Sequence, residues 1–319
     1  MIKIPYPDKF VIKEFYDQNL KNRIINTIER IECDGGLLTN EKKIKTVLDT
    51  NARELLKIIK KEQYLKFIIT VKPNSLKRVI KFFEKQTNNK IRNKDEAISQ
   101  IIYNIFVTST YEKNEYFNKL KFIQRIGLDT CPYCNRSYIY TLNKAGSIKP
   151  EIDHFYPKSF YPYLAVSYYN LIPSCQTCNG FGAKGKIDTF NDKKIIHPYE
   201  VNVNDFKFTY IPNSINFNLL KQEKYNFNNF EIKFIKSNQD NLDVFKLEEL
   251  YKQHKDIVLE LLVKKAYYPK SYIDELASFG FGEDEIYRYL LGNYKKDEDL
   301  HKRPLSKLIK DISEELKLL

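Results

Sequence analysis

Two Cys-x-x-Cys pairs constrain the fold of this chain more strongly than its other motifs do. Cys131 and Cys134 form the first pair, and Cys175 and Cys178 form the second, with forty residues between them. Four thiolates complete a tetrahedral zinc site, and such a closed site is structural because it leaves no open coordination position. The alternatives are two unrelated reduced pairs or a redox-active dithiol. We therefore expect a structural Zn²⁺ ion that fastens together the two ends of the intervening segment.

The length and charge of the chain set its broad class. Its 319 residues are 42% hydrophobic and 29% charged, which suits a globular chain with two or three folded regions. The sequence has neither an apolar run near the ~20 residues that cross a bilayer nor a signal-peptide pattern, so we expect a cytoplasmic protein without a membrane partner. Lys and Arg outnumber Asp and Glu by 53 to 41. This surplus favours nucleic acid as the partner, although an AT-rich genome would also raise the lysine content.

Three regions of the sequence differ in composition and in hydrophobic pattern, and together they predict an α+β fold. Residues 1–125 show helical periodicity, with one predicted helix from Glu41 to Glu62, and are basic. Residues 126–200 are rich in Cys, Pro, Gly, Asn and Tyr and contain the predicted strands SYIYTL and EIDHF. Residues 201–319 open with the alternating runs FKFTYI, SINFNLL and FEIKFIK, which predict a small β region, and continue as helices.

Polar residues between and beside the cysteine pairs follow a specific order. Asp153 and His154 are adjacent, Asn170 precedes a leucine, and Asn179 follows the last cysteine directly. A single histidine is usually a packed or surface residue. The combination is more informative than its parts, because this order resembles the zinc-knuckle type of HNH endonuclease over about 60 residues.

The resemblance implies a central ββα-metal finger held by the Cys₄ zinc, and hydrolysis of phosphodiester bonds. It implies that His154 is the general base and that Asn170 orients the loop that carries the base. Asp153 and Asn179 would bind a separate catalytic ion, Mg²⁺ or Mn²⁺, because hard cations prefer oxygen ligands. DNA is the expected substrate ahead of RNA.

The sequence departs from the family pattern at two places. Asn179 stands where many members have a histidine, which makes an H-N-N version of the motif with a weaker ligand. The Lys184-Gly185 pair comes later after the second cysteine pair than is usual, so the alignment of Lys184 is open. Supporting or phosphate-contacting roles are considered for four residues, namely Glu151, Arg136, Lys158 and Lys184.

The run EIDHFYPKS…YNLIPSCQTCN is similar, more narrowly, to HNH proteins of bacterial antiphage systems, the Septu (PtuB-like) nucleases and those attached to retrons. That likeness implies an ATPase partner subunit. Two other functions stay open at this point. One is a zinc-supported nucleic-acid-binding or scaffold module with a degenerate active site, and the other is a nuclease that cleaves RNA such as tRNA.

Overall fold

The computed structural model describes residues 1–17, 20–38, 43–142, 149–212 and 230–318. Within these ranges the chain is α+β, and its strands form small two-stranded antiparallel sheets among many helices. Among the described residues, no helix has the length and apolar character needed to cross a membrane.

The N-terminal region is mainly helical, as its periodicity predicts. Its helices bury one apolar face each, as in the third helix, where Leu55, Leu56 and Ile59 are buried. The helices are α1 (Lys9–Asp17), α2 (Leu20–Asp34), α3 (Thr50–Lys60), α4 (Glu62–Thr70), α5 (Pro73–Gln86), α6 (Ala97–Tyr103) and α7 (Lys119–Ile126).

The helix predicted from Glu41 to Glu62 is wrong over its first part. Strand β2 (Ile44–Val47) lies there and pairs with β1 (Gly36–Leu38) in an antiparallel hairpin. The helix that follows starts at Thr50 because the side chain of Asp49 accepts a hydrogen bond from the Ala52 amide at 2.7 Å and so caps its first turn. β-branched residues in the preceding segment favour the strand.

Helix α6 runs directly into a π-helix, Asn104–Tyr111. The wider turn of a π-helix rotates the side chains that follow, and such segments occur often at functional sites. This one contributes a wall to the cavity described below.

The central region contains a hairpin followed by a short helix. Strand β3 (Glu151–His154) pairs antiparallel with β4 (Leu171–Ser174), and α8 (Gln176–Asn179) comes immediately after. The predicted strand EIDHF is therefore present. The predicted strand SYIYTL is wrong, because the strand pairing of this segment among the described residues is limited to one isolated bridge between Tyr138 and Thr130. That bridge closes the loop that contains Cys131 and Cys134.

The C-terminal region combines one hairpin with helices. Strands β5 (Lys207–Pro212) and β6 (Phe230–Lys236) pair antiparallel, in agreement with the runs FKFTYI and FEIKFIK. The predicted strand SINFNLL lies outside the described residues. The helices are α9 (Gln239–Phe245), α10 (Leu247–Tyr251), α11 (Lys255–Tyr267), α12 (Lys270–Ser278), α13 (Glu283–Leu291) and α14 (Ser306–Glu315).

One continuous apolar core joins residues from all three regions. Asn135, in the loop of the first cysteine pair, also connects distant parts of the chain. Its Oδ1 atom accepts hydrogen bonds from the Ser306 hydroxyl and the Lys307 amide, both at 3.0 Å, and its Nδ2 atom donates to the Leu300 carbonyl at 3.0 Å. The amide of Asn135 therefore caps the start of α14.

Candidate active site and four-cysteine centre

The four paired cysteines converge in a buried cluster. Their sulfur atoms all lie within 4.8 Å of one another, and Cys134 Sγ is 3.9 Å from Cys175 Sγ. A tetrahedron with Zn–S bonds of about 2.3 Å requires sulfur–sulfur separations of about 3.8 Å, whereas a disulfide requires about 2.05 Å. The donor set and its spacing therefore fit a zinc ion.

Local backbone geometry presents these sulfurs to one point. The Cys131 amide donates to the Ser137 carbonyl at 3.0 Å, and the Arg136 amide donates to Cys134 Sγ at 3.4 Å. Burial raises the pKa of the Cys131 thiol well above its usual range. A cation at the centre of the cluster would offset this, because it favours thiolates. His197 is not part of the cluster.

The cluster fixes the ends of the β3–β4 hairpin and the start of α8. Cys175 follows β4 directly, and Cys178 lies within α8. Tyr133, between the first two cysteines, donates its hydroxyl to Asp153 Oδ2 at 2.6 Å. The loop of the first cysteine pair thus contacts the site through both sulfur atoms and a phenol.

Asp153 is buried and paired with a buried lysine. The Lys184 ammonium donates to Asp153 Oδ1 and to the His154 carbonyl, both at 2.7 Å. The side chains of Lys184 and Asp153 are 0% and 2% exposed. Two roles were considered for Lys184, a phosphate contact and a supporting role. The supporting role fits, because the buried ammonium does not reach the surface where it would meet a phosphate.

His154 is buried and makes one defining hydrogen bond. Its Nε2 atom lies 3.0 Å from the Ala165 carbonyl. A carbonyl can only accept, so Nε2 carries the proton and Nδ1 has the lone pair in the neutral ring. Burial lowers the pKa of His154 from 6.5 to about 3, and the charges of Lys158 and Lys184 contribute to the shift. The ring is therefore neutral at physiological pH.

Asn170 holds the loop that follows β3. Its Nδ2 atom donates to the carbonyls of Tyr156 at 3.1 Å and Leu164 at 3.0 Å, and its Oδ1 atom accepts from the Tyr156 amide at 2.8 Å. Leu164 precedes Ala165, whose carbonyl accepts from His154. Asn170 thus positions the partner of the imidazole.

Asn179, at the end of α8, is oriented by a carboxylate. Its Nδ2 atom donates to Glu151 Oε2 at 2.7 Å. That bond turns the amide so that Oδ1 is the atom left to meet a ligand. Glu151 therefore supports Asn179, and the two occupy the hairpin and the helix that the cysteines join.

A cavity of about 770 Å³ brings three of these residues together, namely Asp153, His154 and Asn179. The opposite wall comes from the N-terminal region and includes Lys45, Lys94 and residues of the π-helix. Neither lysine was among the residues selected from the sequence. Their contribution comes from tertiary packing, which leaves no motif in the sequence.

The two remaining candidates lie at different places. Lys158 lines the cavity and donates to Glu112 at 3.1 Å. Arg136 does not line it and donates through Nε to His254 Nε2 at 2.9 Å, beside the first cysteine pair. Tyr133 and Tyr111 were missed in the sequence. Tyr133 could have been found by its position inside the Cys-Pro-Tyr-Cys motif. The ring of Tyr111 lies 4.6 Å from that of His154, but Tyr111 belongs to no motif that would have identified it.

Comparison with known proteins finds short similarities. No protein-family model and no solved structure matches the chain. A stretch of 72 residues is 38% identical to Protein ea31 of Escherichia phage lambda and covers 22% of this chain and 21% of that protein. A stretch of 50 residues is 48% identical to Septu protein PtuB of Bacillus thuringiensis and covers 15% of this chain and 18% of that protein. The chain thus spans about a fifth of the length of the curated relatives it matches.

Proposed function

We propose that this protein is a metal-dependent endonuclease of the HNH type that hydrolyses phosphodiester bonds of DNA. The observation that carries the proposal is the arrangement of His154. Its Nε2–H bond to Ala165 leaves the basic Nδ1 atom on a ring that lines the same cavity as Asp153 and Asn179. The order of β3, β4 and α8, joined by four cysteines, supports a ββα-metal finger.

His154 acts in this mechanism as the general base. Its neutral Nδ1 atom takes a proton from the attacking water, and the Ala165 carbonyl stabilises the imidazolium that forms. A pKa near 3 makes His154 a weak base while the cavity is empty. The negative charge of a bound phosphodiester raises that pKa, because an opposite charge nearby favours the protonated ring.

Asp153 and Asn179 supply the oxygen atoms that suit Mg²⁺ or Mn²⁺. A carboxylate has about four acceptor positions, so the bonds from Tyr133 and Lys184 leave capacity on Asp153 for a cation. The ion, when bound, supplies positive charge that stabilises the phosphate and the leaving oxygen. Lys158, at the cavity wall, adds a positive group for the substrate phosphate.

A role in antiphage defence is part of the proposal. It rests on the likeness of the run from Glu151 to Asn179 to the Septu and retron-associated nucleases, and on the stretch of 48% identity to Septu protein PtuB. The same likeness supports a partner protein, an ATPase subunit. We propose the cytoplasm as the compartment in which the two would act.

Replacement of His154 tests the proposal directly. The purified protein is incubated with plasmid, single-stranded DNA and tRNA in Mg²⁺ and in Mn²⁺, with and without the partner. We expect His154→Ala to reduce cleavage by about 10²–10⁴-fold, the usual contribution of a general base, while zinc content and melting temperature persist. His301→Ala, a histidine that does not line the cavity, is the matched control and should cleave as wild type does. Equal cleavage by His154→Ala would contradict the assignment of the base.

A second candidate function has one specific observation in its favour. The Lys184 ammonium already pairs with the carboxylate proposed as metal ligand. If that pair persists in Mg²⁺, the protein is a zinc-supported module that binds nucleic acid without cutting it. The same assays separate the two functions, and cleavage of tRNA alone would identify an RNA nuclease.

A further inference from the structure

An aromatic side chain stands exposed beside the cavity. Phe181 follows α8 between Gly180 and Gly182, and it is 87% exposed. A ring as exposed as this one is free to contact another molecule, and covering it would be favourable because burial of a phenylalanine is strongly favourable.

The loop that carries Phe181 is firmly held. The Ala183 amide donates to the Gly180 carbonyl at 3.0 Å, and the Lys184 amide donates to the Cys178 carbonyl at 3.2 Å. Gly185 folds back so closely that an added Cβ atom would lie 3.1 Å from Phe181 Cα. The buried ammonium of Lys184 anchors the same turn to Asp153. The phenyl ring is therefore displayed by an ordered turn.

The surroundings of Phe181 are basic and border the reaction site. Gly185 and Lys186 line the cavity, and the Lys186 ammonium lies 5.8 Å from the centre of the Phe181 ring. Four lysines line the cavity, whereas Asp153 supplies the single carboxylate of the described lining. The lysines are Lys45, Lys94, Lys158 and Lys186. Positive grooves with adjacent aromatic rings are the usual means of binding a single nucleic-acid strand, because phosphates meet lysines and bases stack on rings.

The size of the cavity favours a single strand over a duplex. Its volume of about 770 Å³ lies within the ~300–1,000 Å³ of sites that enclose one small ligand. Asp153 and His154 are nearly buried at its base. A nucleotide that is unstacked from its neighbours can enter such a cavity, whereas a stacked and paired one is held in the duplex.

We infer that Phe181 stacks on a nucleobase of a single-stranded nucleic acid whose neighbouring phosphate lies in the lysine-lined cavity. The inference rests on the proposed function and specifies its substrate as single-stranded or locally opened nucleic acid. Phe181 is then a substrate-binding residue, and helix α8, which carries one of the four clustered cysteines, sets the distance between the stacked base and His154.

Binding measurements without cleavage test this inference. A labelled oligothymidylate strand and its duplex with oligoadenylate are titrated, by fluorescence anisotropy, against the His154→Ala protein without added Mg²⁺ or Mn²⁺. We expect Phe181→Ala in that background to weaken single-strand binding by roughly 5- to 150-fold, the effect of losing one stacked base, while Phe181→Tyr binds within about twofold. The His154→Ala protein should bind the single strand more tightly than the duplex.

Phe279→Ala is the matched control, because Phe279 is 70% exposed and does not line the cavity. It should leave binding unchanged. Equal single-strand affinity with and without Phe181, an equal loss in Phe279→Ala, or tighter binding of the duplex would each overturn the inference. Binding that depends on Phe181, together with a wild-type protein that cleaves no substrate in Mg²⁺ or Mn²⁺, would uphold the inference and refute the nuclease proposal instead.

Discussion

At the scale of single residues, Lys184 shows what a sequence motif can and cannot specify. The sequence identified it as a candidate near the site, but the choice between a phosphate contact and a supporting role depends on burial. Fully buried charges are costly unless they are paired, and here the partner is Asp153, which sits on the neighbouring hairpin. Sequence spacing alone carries no information about that pairing.

Removal of the lysine should therefore leave an unpaired buried carboxylate. We expect Lys184→Met to lower the free energy of unfolding by about 3–5 kcal/mol, as for other broken buried ion pairs. The double variant Lys184→Met/Asp153→Asn should recover part of that loss, because the amide carries no charge. Urea denaturation of the two variants and the wild type measures both values. A double variant less stable than Lys184→Met would show that the pair is not the main support of this position.

At the scale of elements, the hairpin, the helix and the cysteine cluster were the most predictable part of the molecule. The metal-ligand spacing of the cysteines can be read directly from the sequence. The alternation of polar and apolar residues over Glu151–His154 predicts strand β3. The strand Ile44–Val47 was missed because its short segment reads equally as helix. The N-terminal wall of the cavity was also missed, since the sequence does not say which helix packs against the hairpin.

Zinc removal should loosen this central unit first. We expect about one zinc ion per chain, and we expect Cys178→Ser or a strong chelator to release it and to lower the melting temperature. Elemental analysis and thermal unfolding check both points. Cys33→Ser is the control, because Cys33 is exposed and lies outside the cluster. A Cys178→Ser protein that retains zinc and melts as the wild type does would argue against a Cys₄ site.

At the scale of the whole molecule, one shared core makes stability respond to buried groups in any region. His197 is an example. Its ring packs 4.1 Å from that of Phe155, and its Nδ1 atom accepts a hydrogen bond from the Tyr199 amide at 3.3 Å. Burial lowers the pKa of His197 from 6.5 to about 3.

Acid should therefore destabilise the fold through His197. Between pH 6.5 and about 3 the unfolded chain binds a proton on this ring that the folded chain does not bind. The free energy of unfolding should thus fall as the pH falls, by up to about 1.4 kcal/mol per pH unit from this residue. In His197→Phe that part of the slope should disappear, as denaturation at a series of pH values would show. An unchanged slope would mean that His197 is already protonated in the fold.

Asn135 has a consequence for the order in which the protein can be completed. Its side chain meets residues 300–307, although it stands next to the first cysteine pair. Because ribosomes make chains from the N-terminus, these contacts can form only after residue 307 has been synthesised. A nascent chain already contains every residue of the proposed active centre long before that moment. Helix α14 thus completes the support of that centre, so a growing polypeptide cannot reach the finished arrangement until residue 307 has been made.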